Sequence, residues 1–316
     1  MKPIIKYRGG KSRELSQIMW NVPRFSGRYV EPFLGGGALF FYLEPAEAII
    51  NDINTPLMLF YRGVRDDYAR VHRELEALSK TYAANRVEFD RRKRETPDKR
   101  VEDKNEALYY AIRDMFNGRT TKLYSDASLY YFINKTAYSG MIRYNAQGEF
   151  NVPFGRYQRL PVEQVSTKHS LLLQRATLCN GDYSDVFNMC RPDDFVFLDP
   201  PYDCIFSDYG NQEYKDGFDE ASHRRLAQDF YNLPCKALMV IGRTPLTEEL
   251  YGKDIVDEYA KDYAVNIRNR FKASASHIVV ANYRKTWSEP QVVEADSLYA
   301  YRAGRLEANN MLLFEE

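Results

Sequence analysis

Cysteine is scarce in this chain, and its spacing carries no site. The four in 316 residues, Cys179, Cys190, Cys204 and Cys235, form no C-x-x-C pair and have no paired histidines nearby. A disulfide framework and a zinc site are therefore not expected; buried free thiols are, with no metal. Long apolar runs are missing too. Nothing approaches the roughly 20 consecutive apolar residues that cross a bilayer, so no membrane association is expected. The N-terminal stretch MKPIIKYRGGKSREL is basic but lacks the apolar core of a secretory signal, which points to a cytoplasmic protein. Charge of one sign is also lacking: 44 Lys and Arg against 44 Asp and Glu give a formal net charge of zero, so composition does not announce a nucleic-acid binder. The basic run Arg91-Arg92-Lys93-Arg94, followed by Lys99, Arg100 and Lys104, is mixed with acids. It fits a solvated helix face at least as well as a phosphate-binding surface.

What the chain has in quantity is aromatic residues, 25 Tyr and 18 Phe, with many tyrosines between residues 109 and 157. Tyrosine can stack on bases as well as fill cores. Apolar bursts that end in acids or turn residues read as buried strands. They are Tyr29–Glu31, Ile49-Ile50, Phe195-Val196-Phe197-Leu198, ALMVIG at 237–242 and HIVVANYR at 277–284. Helical patterns fill 58–114 with a break at Pro97-Asp98, and 129–157 starts helical and becomes a polar, glycine-punctuated loop. Strand and helix signals alternate again from about 165. This order predicts an α/β fold, one doubly wound sheet with helices on both faces, interrupted by a mostly helical second domain. The expected spans are 1–60 and 165–285 for the sheet domain, 61–164 for the insertion and 286–316 for a C-terminal extension.

Two strand ends carry chemistry. Gly35-Gly36-Gly37 follows the first strand and lets the backbone approach a ligand closely. A dinucleotide fingerprint would need a glycine where Phe40 stands, so a ligand without a pyrophosphate fits better. Asp52 ends the next strand, the usual place for a carboxylate that accepts from ribose hydroxyls. Asp199-Pro200-Pro201-Tyr202 ends the later strand, because prolines cannot continue a ladder. A nucleoside pocket beside such a turn suits methylation of an amine on a base, whose lone pair is delocalised into the ring. The Asp199 carboxylate and the Pro200 carbonyl can accept from the amine hydrogens, and Tyr202 can stack on an extruded base.

In this order the motifs resemble those of the S-adenosylmethionine-dependent DNA adenine-N6 methyltransferases of the Dam-like (D12) class, alpha group, over about residues 4–284. IKYRGGK (5–11) resembles the opening K-W-x-G-G-K, VEPFLGGGALFF the donor-binding E-P-F-x-G-x-G, and NDIN the acidic strand end. NKTAYSGMIRYNAQGEFNVPFGRY (134–157) resembles the target-recognition segment, and D-P-P-Y the catalytic one. The resemblance implies a Rossmann-like class I methyltransferase of bacterial or phage type, with S-adenosylmethionine as cofactor and double-stranded DNA as partner. A companion restriction endonuclease would fit the same context. Tyr7, Lys11, Glu31, Phe33, Gly35, Gly37, Asp52, Asp182, Tyr183 and Asp199 would form the donor site. Asp199, Pro200, Pro201 and Tyr202 would hold the flipped adenine. Tyr138 would wedge into the base stack and Arg143 would read a guanine, with Lys6, Ser139 and Asn145 also at the DNA. The implied site contains a G-A step, with GATC as the leading expectation.

Departures from the family pattern are Tyr7 for the usual Trp, Ser139 where Asn is common, and IGRTPLTEELY (241–251) where Ser-Asn often precedes the threonine. Arg268, Arg270 and Lys272 read equally as phosphate clamps or solvated cations. The rival readings are N4-cytosine methylation, which more often has Ser at position 199, and a catalytically silent DNA-binding protein on the same fold. A nicotinamide-dependent dehydrogenase accounts for the first strand alone.

Overall fold

An apolar strand that must be buried on both faces needs helices on both sides of its sheet, and the chain supplies them. The computed structural model describes residues 1–202, 218–261 and 275–287. Its strands are β1 (Tyr29–Glu31), β2 (Ala48–Asn51), β3 (Ala176–Cys179), β4 (Phe195–Leu198), β5 (Lys236–Gly242), β6 (Ile255–Lys261) and β7 (Ala275–Ala281). They form one sheet in the order β3-β2-β1-β4-β5-β7-β6. The first five pair in parallel, and β7 runs antiparallel to both β5 and β6.

Alternation along the strands divides the interior in two. Tyr29, Ile50, Phe195, Phe197, Leu238 and Val240 join one core, while Val30, Ile49, Val196, Leu198, Met239 and Ile241 join the other. The helices are α1 (Leu15–Met19), α2 (Ala38–Leu43), α3 (Thr55–Asp66), α4 (Tyr68–Glu95), α5 (Lys104–Phe116), α6 (Asp126–Thr136), α7 (Thr167–Leu173), α8 (Tyr183–Phe187), α9 (Glu220–Asn232) and α10 (Pro245–Tyr251). Residues of α2, α3 and α7 line the first core, and residues of α8, α9 and α10 line the second.

The helical insertion does not form a separate core. Tyr82, Tyr109, Tyr130 and Phe132 are fully buried in the same cluster as the sheet's first face. The boundary expected after residue 60 falls inside α3, whose Leu57, Phe60, Tyr61 and Val64 are buried in that shared interior. The tyrosines of this region mostly fill space and staple loops. Tyr82 donates its hydroxyl to the Tyr157 carbonyl at 2.6 Å, Tyr109 to Val152 at 2.7 Å, and Tyr131 to Pro161. The basic run on α4 is a solvated face: Arg91 pairs with Glu88 and Glu95, and Arg92 with Glu88. Cys235 is buried and Cys179 and Cys190 are half-buried, all as free thiols. Cys204, Arg268, Arg270, Lys272 and nearly all of the 286–316 extension lie outside the described residues. Among the described residues, no helix is long and apolar enough to cross a membrane.

Strand order reverses between β1 and β4, which are neighbours in the sheet but far apart in sequence. A crevice forms beyond the carboxyl ends of two such strands. The opposite ends are pinned by Arg28 and Asp194, a buried pair with Nη2 2.7 Å from Oδ2. Asp194 also accepts from the Arg28 and Arg191 backbone N–H groups, both at 2.8 Å. Burial pushes the Asp194 carboxyl up, and these donors outweigh burial to leave it below the usual range. Its stabilisation is therefore complete above the ordinary carboxylate pKa and is lost as pH falls through the depressed one. Asp194→Ala strands the Arg28 guanidinium and costs about 3–5 kcal/mol, read as a lower urea midpoint at neutral pH. An unchanged midpoint contradicts this.

Candidate functional site

The chain leaving β1 and the chain leaving β4 line one cleft. Gly35 and Gly37 have φ of 48° and 63°, in the left-handed region that favours glycine. A Cβ on Gly35 would meet the Tyr7 ring at 2.7 Å, so this glycine lets Tyr7 lie on the turn. The turn is braced from below. Asp52 accepts the Gly35 N–H at 2.8 Å and the Asn54 N–H at 2.9 Å, and Tyr61 donates its hydroxyl to the Gly35 carbonyl at 3.1 Å. Asn51 Nδ2 donates to the carbonyls of Pro32 and Gly181, at 2.9 and 3.0 Å, tying the ends of β1 and β3 together.

Three carboxyl groups line the cleft, from Glu31, Asp52 and Asp199, together with the cations of Arg8 and Lys11. Burial pushes the Glu31 carboxyl well above its usual range; the Tyr29 hydroxyl, donating at 2.9 Å, pulls the other way, and Asp199 adds repulsion. Lys11 is only 2% exposed, and Nζ donates to Asp199 Oδ1 at 2.5 Å and to the Gly9 carbonyl at 3.0 Å. The same ammonium lies 5.0 Å from the centre of the Tyr202 ring, whose hydroxyl approaches Asp199 Oδ1 at 3.4 Å. Behind Tyr202 its ring meets His277 edge-on at 5.0 Å, and His277 Nδ1 is 2.7 Å from the buried Glu14 carboxylate. Such a cleft can offer a fixed acceptor, Asp199, to a planar amine stacked on Tyr202.

Most of the residues expected at the donor and adenine sites line this cleft: Tyr7, Lys11, Glu31, Phe33, Gly35, Gly37, Asp52, Asp199, Pro200, Pro201 and Tyr202. Asp182 and Tyr183 do not. The Tyr183 ring packs on Phe33 at 5.4 Å, one ring removed from the cleft. Asp182 caps α8 through Ser184 and is held by Arg225 of α9, Nη2 to Oδ1 at 2.7 Å.

The expected DNA-contacting residues form a second group. Lys6 is clamped to α6, its N–H donating to Asn134 Oδ1 at 3.0 Å and its carbonyl accepting from Nδ2 at 2.7 Å. A Cβ on Gly140 would meet the Lys6 side chain at 2.7 Å, so Lys6 lies against the turn Tyr138–Gly140. Tyr138 is 54% exposed, the one exposed tyrosine between residues 109 and 157. Ser139 has φ 57°, a left-handed conformation that costs a serine about 1 kcal/mol and that asparagine adopts more readily. The departure from Asn at this position therefore carries backbone strain. Arg143 is exposed, with Nε donating to Asn151 Oδ1 at 3.0 Å. Asn145 is turned inward: its Oδ1 accepts from the Gln147 and Glu149 N–H groups, at 3.1 and 2.9 Å, and closes the hairpin turn.

Arg8, Tyr61, Asn134, Asn151 and Arg225 were not singled out in the sequence. Asn134 and Asn151 lie inside the recognition-like segment, which is a signal of place but not of role. Tyr61 and Arg225 sit in ordinary helical patterns that carry no signal.

A family model described as D12 class N6 adenine-specific DNA methyltransferase matches residues 7–267. The chain is 32% identical over 290 residues, 90% of its own length and 100% of the relative's, to the Type II methyltransferase M.CviBI of Paramecium bursaria Chlorella virus NC1A. It is 33% identical over 267 residues, 80% of this chain and 87% of the relative, to the Type II methyltransferase M.MjaIII of Methanocaldococcus jannaschii. It is also similar to the DNA adenine methylase of Salmonella typhi, with 28% identity over 281 residues covering 86% and 90% of the two chains.

The raised Glu31 pKa has a stability consequence. The folded protein keeps a proton on Glu31 at pH values where the unfolded chain has lost it, so stability falls as pH rises from the ordinary carboxylate pKa through the raised one. Glu31→Gln keeps a carbonyl for the Tyr29 hydroxyl and removes that loss. Its Tm exceeds that of the parent at pH 8 and the gap closes toward pH 4, read by scanning calorimetry; a Tm lowered equally at both contradicts it.

Proposed function

The chain belongs to the D12 class of N6-adenine-specific DNA methyltransferases, and on that premise we propose how its residues divide the reaction. The protein transfers a methyl group from S-adenosylmethionine to N6 of adenine in double-stranded DNA. Residues of the cleft hold the donor: Glu31, Gly35, Gly37 and Asp52 on the glycine-turn side, with Tyr7 and Phe33 as the flat surfaces for its adenine. Asp182 and Tyr183 act one ring further out, shaping that surface through Phe33. The glycine turn supports this reading, because Gly35 and Gly37 let the backbone approach the donor closely while Asp52 holds the turn in shape; the bound donor presents a sulfonium whose methyl carbon is open to displacement.

The target adenine leaves the duplex, since N6 cannot be reached in line within the stack. It stacks on Tyr202, and its amine hydrogens meet the Asp199 carboxylate and the Pro200 carbonyl. Those acceptors draw the nitrogen lone pair out of the ring. As N–C bond formation proceeds and the donor's C–S bond breaks, the amine proton leaves toward Asp199. Lys11 orients that carboxylate by holding Oδ1, the oxygen on which the Tyr202 hydroxyl also converges. The observation that carries the reading is this Lys11–Asp199–Tyr202 cluster in the same cleft as the glycine turn.

Residues 61–164 serve as the target-recognition part, with 1–60 and 165–285 as the catalytic part. Tyr138, exposed on its strained turn, wedges into the stack, and Arg143 reads a guanine through O6 and N7. Lys6 and Ser139 lie beside them, and Asn145 shapes the hairpin that carries Arg143. The target contains a G-A step, GATC-like. The Type II designation of two relatives supports a companion restriction endonuclease. The test is single-molecule sequencing of plasmid DNA from a host without adenine methylation. The parent chain marks adenine in one recurring motif with a G-A step. Asp199→Ala, purified folded and assayed on the same DNA, is slower by at least about a hundredfold. Full activity of that variant overturns the assignment.

A further inference from the structure

Arginine reads guanine with two parallel N–H donors, and their direction is set only if the guanidinium plane is fixed before contact. A free arginine side chain has many rotamers, and freezing them opposes binding. In this chain the plane is already held. Arg143 Nε donates to Asn151 Oδ1 at 3.0 Å, and the Asn151 N–H donates to the Arg143 carbonyl at 3.1 Å. Among the described residues no other hydrogen bond or ion pair engages this guanidinium, whose terminal nitrogens are the ones a guanine edge needs.

Asn151 is itself rigidly mounted. Its neighbours Phe150 and Val152 are 1% and 0% exposed. Asn117, at the end of α5, exchanges both amide bonds with Phe150, Nδ2 to the carbonyl at 3.0 Å and Oδ1 from the N–H at 2.9 Å. Tyr109 donates to the Val152 carbonyl at 2.7 Å, and Arg119 Nε donates to Glu149 at 2.9 Å. In an extended stretch alternate side chains point to opposite faces, so burying 150 and 152 turns Asn151 toward the face that carries Arg143. We infer that Asn151 is a specificity-determining positioning residue: its carbonyl oxygen orients the Arg143 guanidinium for guanine, and α5 supplies the mount. This rests on the reading of Arg143 as the guanine-reading residue.

The experiment uses the full chain and a pool of duplexes in which the bases flanking one adenine are randomised, with methylation of each sequence counted at several DNA concentrations. Asn151→Ala is expected to reduce discrimination at the guanine position about tenfold or more, while kcat on the preferred site changes less than KM. Asn151→Asp keeps the accepting oxygen, so it retains discrimination even where its added charge weakens binding to every duplex. Arg143→Ala separates the two levels. If it leaves the sequence preference intact, the guanine reading itself fails. If Arg143→Ala relaxes the preference and Asn151→Ala does not, or slows all duplexes equally, the role of Asn151 is overturned. Equal Tm values for Asn151→Ala and Asn151→Asp exclude loss of fold as the cause of any difference between them.

Discussion

A buried ammonium must find an anion, and in this molecule the one it finds is at the end of β4. Lys11 and Asp199 are 188 positions apart and meet at 2.5 Å. That contact fixes the far end of the N-terminal strap. The strap's other end is fixed by Asn134, which pairs with the backbone of Lys6 as a neighbouring strand would. Between them Tyr7 lies on Gly35. The strap thus touches the Tyr138–Gly140 turn, the glycine turn and the Asp199 carboxylate within six residues. Removing either end frees the segment that lines the cleft and leaves a polar or charged group without its partner.

The remaining parts of the site follow the same economy. Asp52 holds two backbone N–H groups and so keeps the glycine turn in its left-handed shape. Tyr82, Tyr109 and Tyr131 of the helical region place their rings in the core and their hydroxyls on the carbonyls of Tyr157, Val152 and Pro161, which ties that loop to the body of the protein. Only Tyr138 is left with its ring largely in solvent. The abundance of tyrosine therefore reports loop anchoring first.

Features that are local in the chain were legible from sequence. The strands at 29–31, 195–198 and 237–242, the turn after each, and the place of Asp199 and Gly35 follow from apolar runs stopped by proline, glycine or an acid. The reversal of strand order at β1 and β4 then brings the two motifs together, as an α/β arrangement requires. Features that depend on distant partners were not legible. Nothing near Tyr61, Asn117 or Asn134 announces the backbone atoms they bind. The carbonyl oxygen of Asn145, expected at the DNA, closes its own turn, which its segment does not announce. Asp182, expected at the donor site, is engaged by Arg225, a partner far along the chain that nothing in its segment announces. The span expected to begin at residue 61 starts within α3, whose single buried face continues through that position and gives the sequence no break there.

The central claim is that Lys11 orients the Asp199 carboxylate for the adenine amine. The most direct measurement is the single-turnover rate of Lys11→Met, with donor and DNA both saturating so that binding does not enter. Methionine preserves the buried stem and removes only the ammonium. The account predicts a methyl-transfer rate lower by about a hundredfold, in the range seen when one preorganised hydrogen-bond donor is removed. A rate equal to that of the parent chain would contradict it.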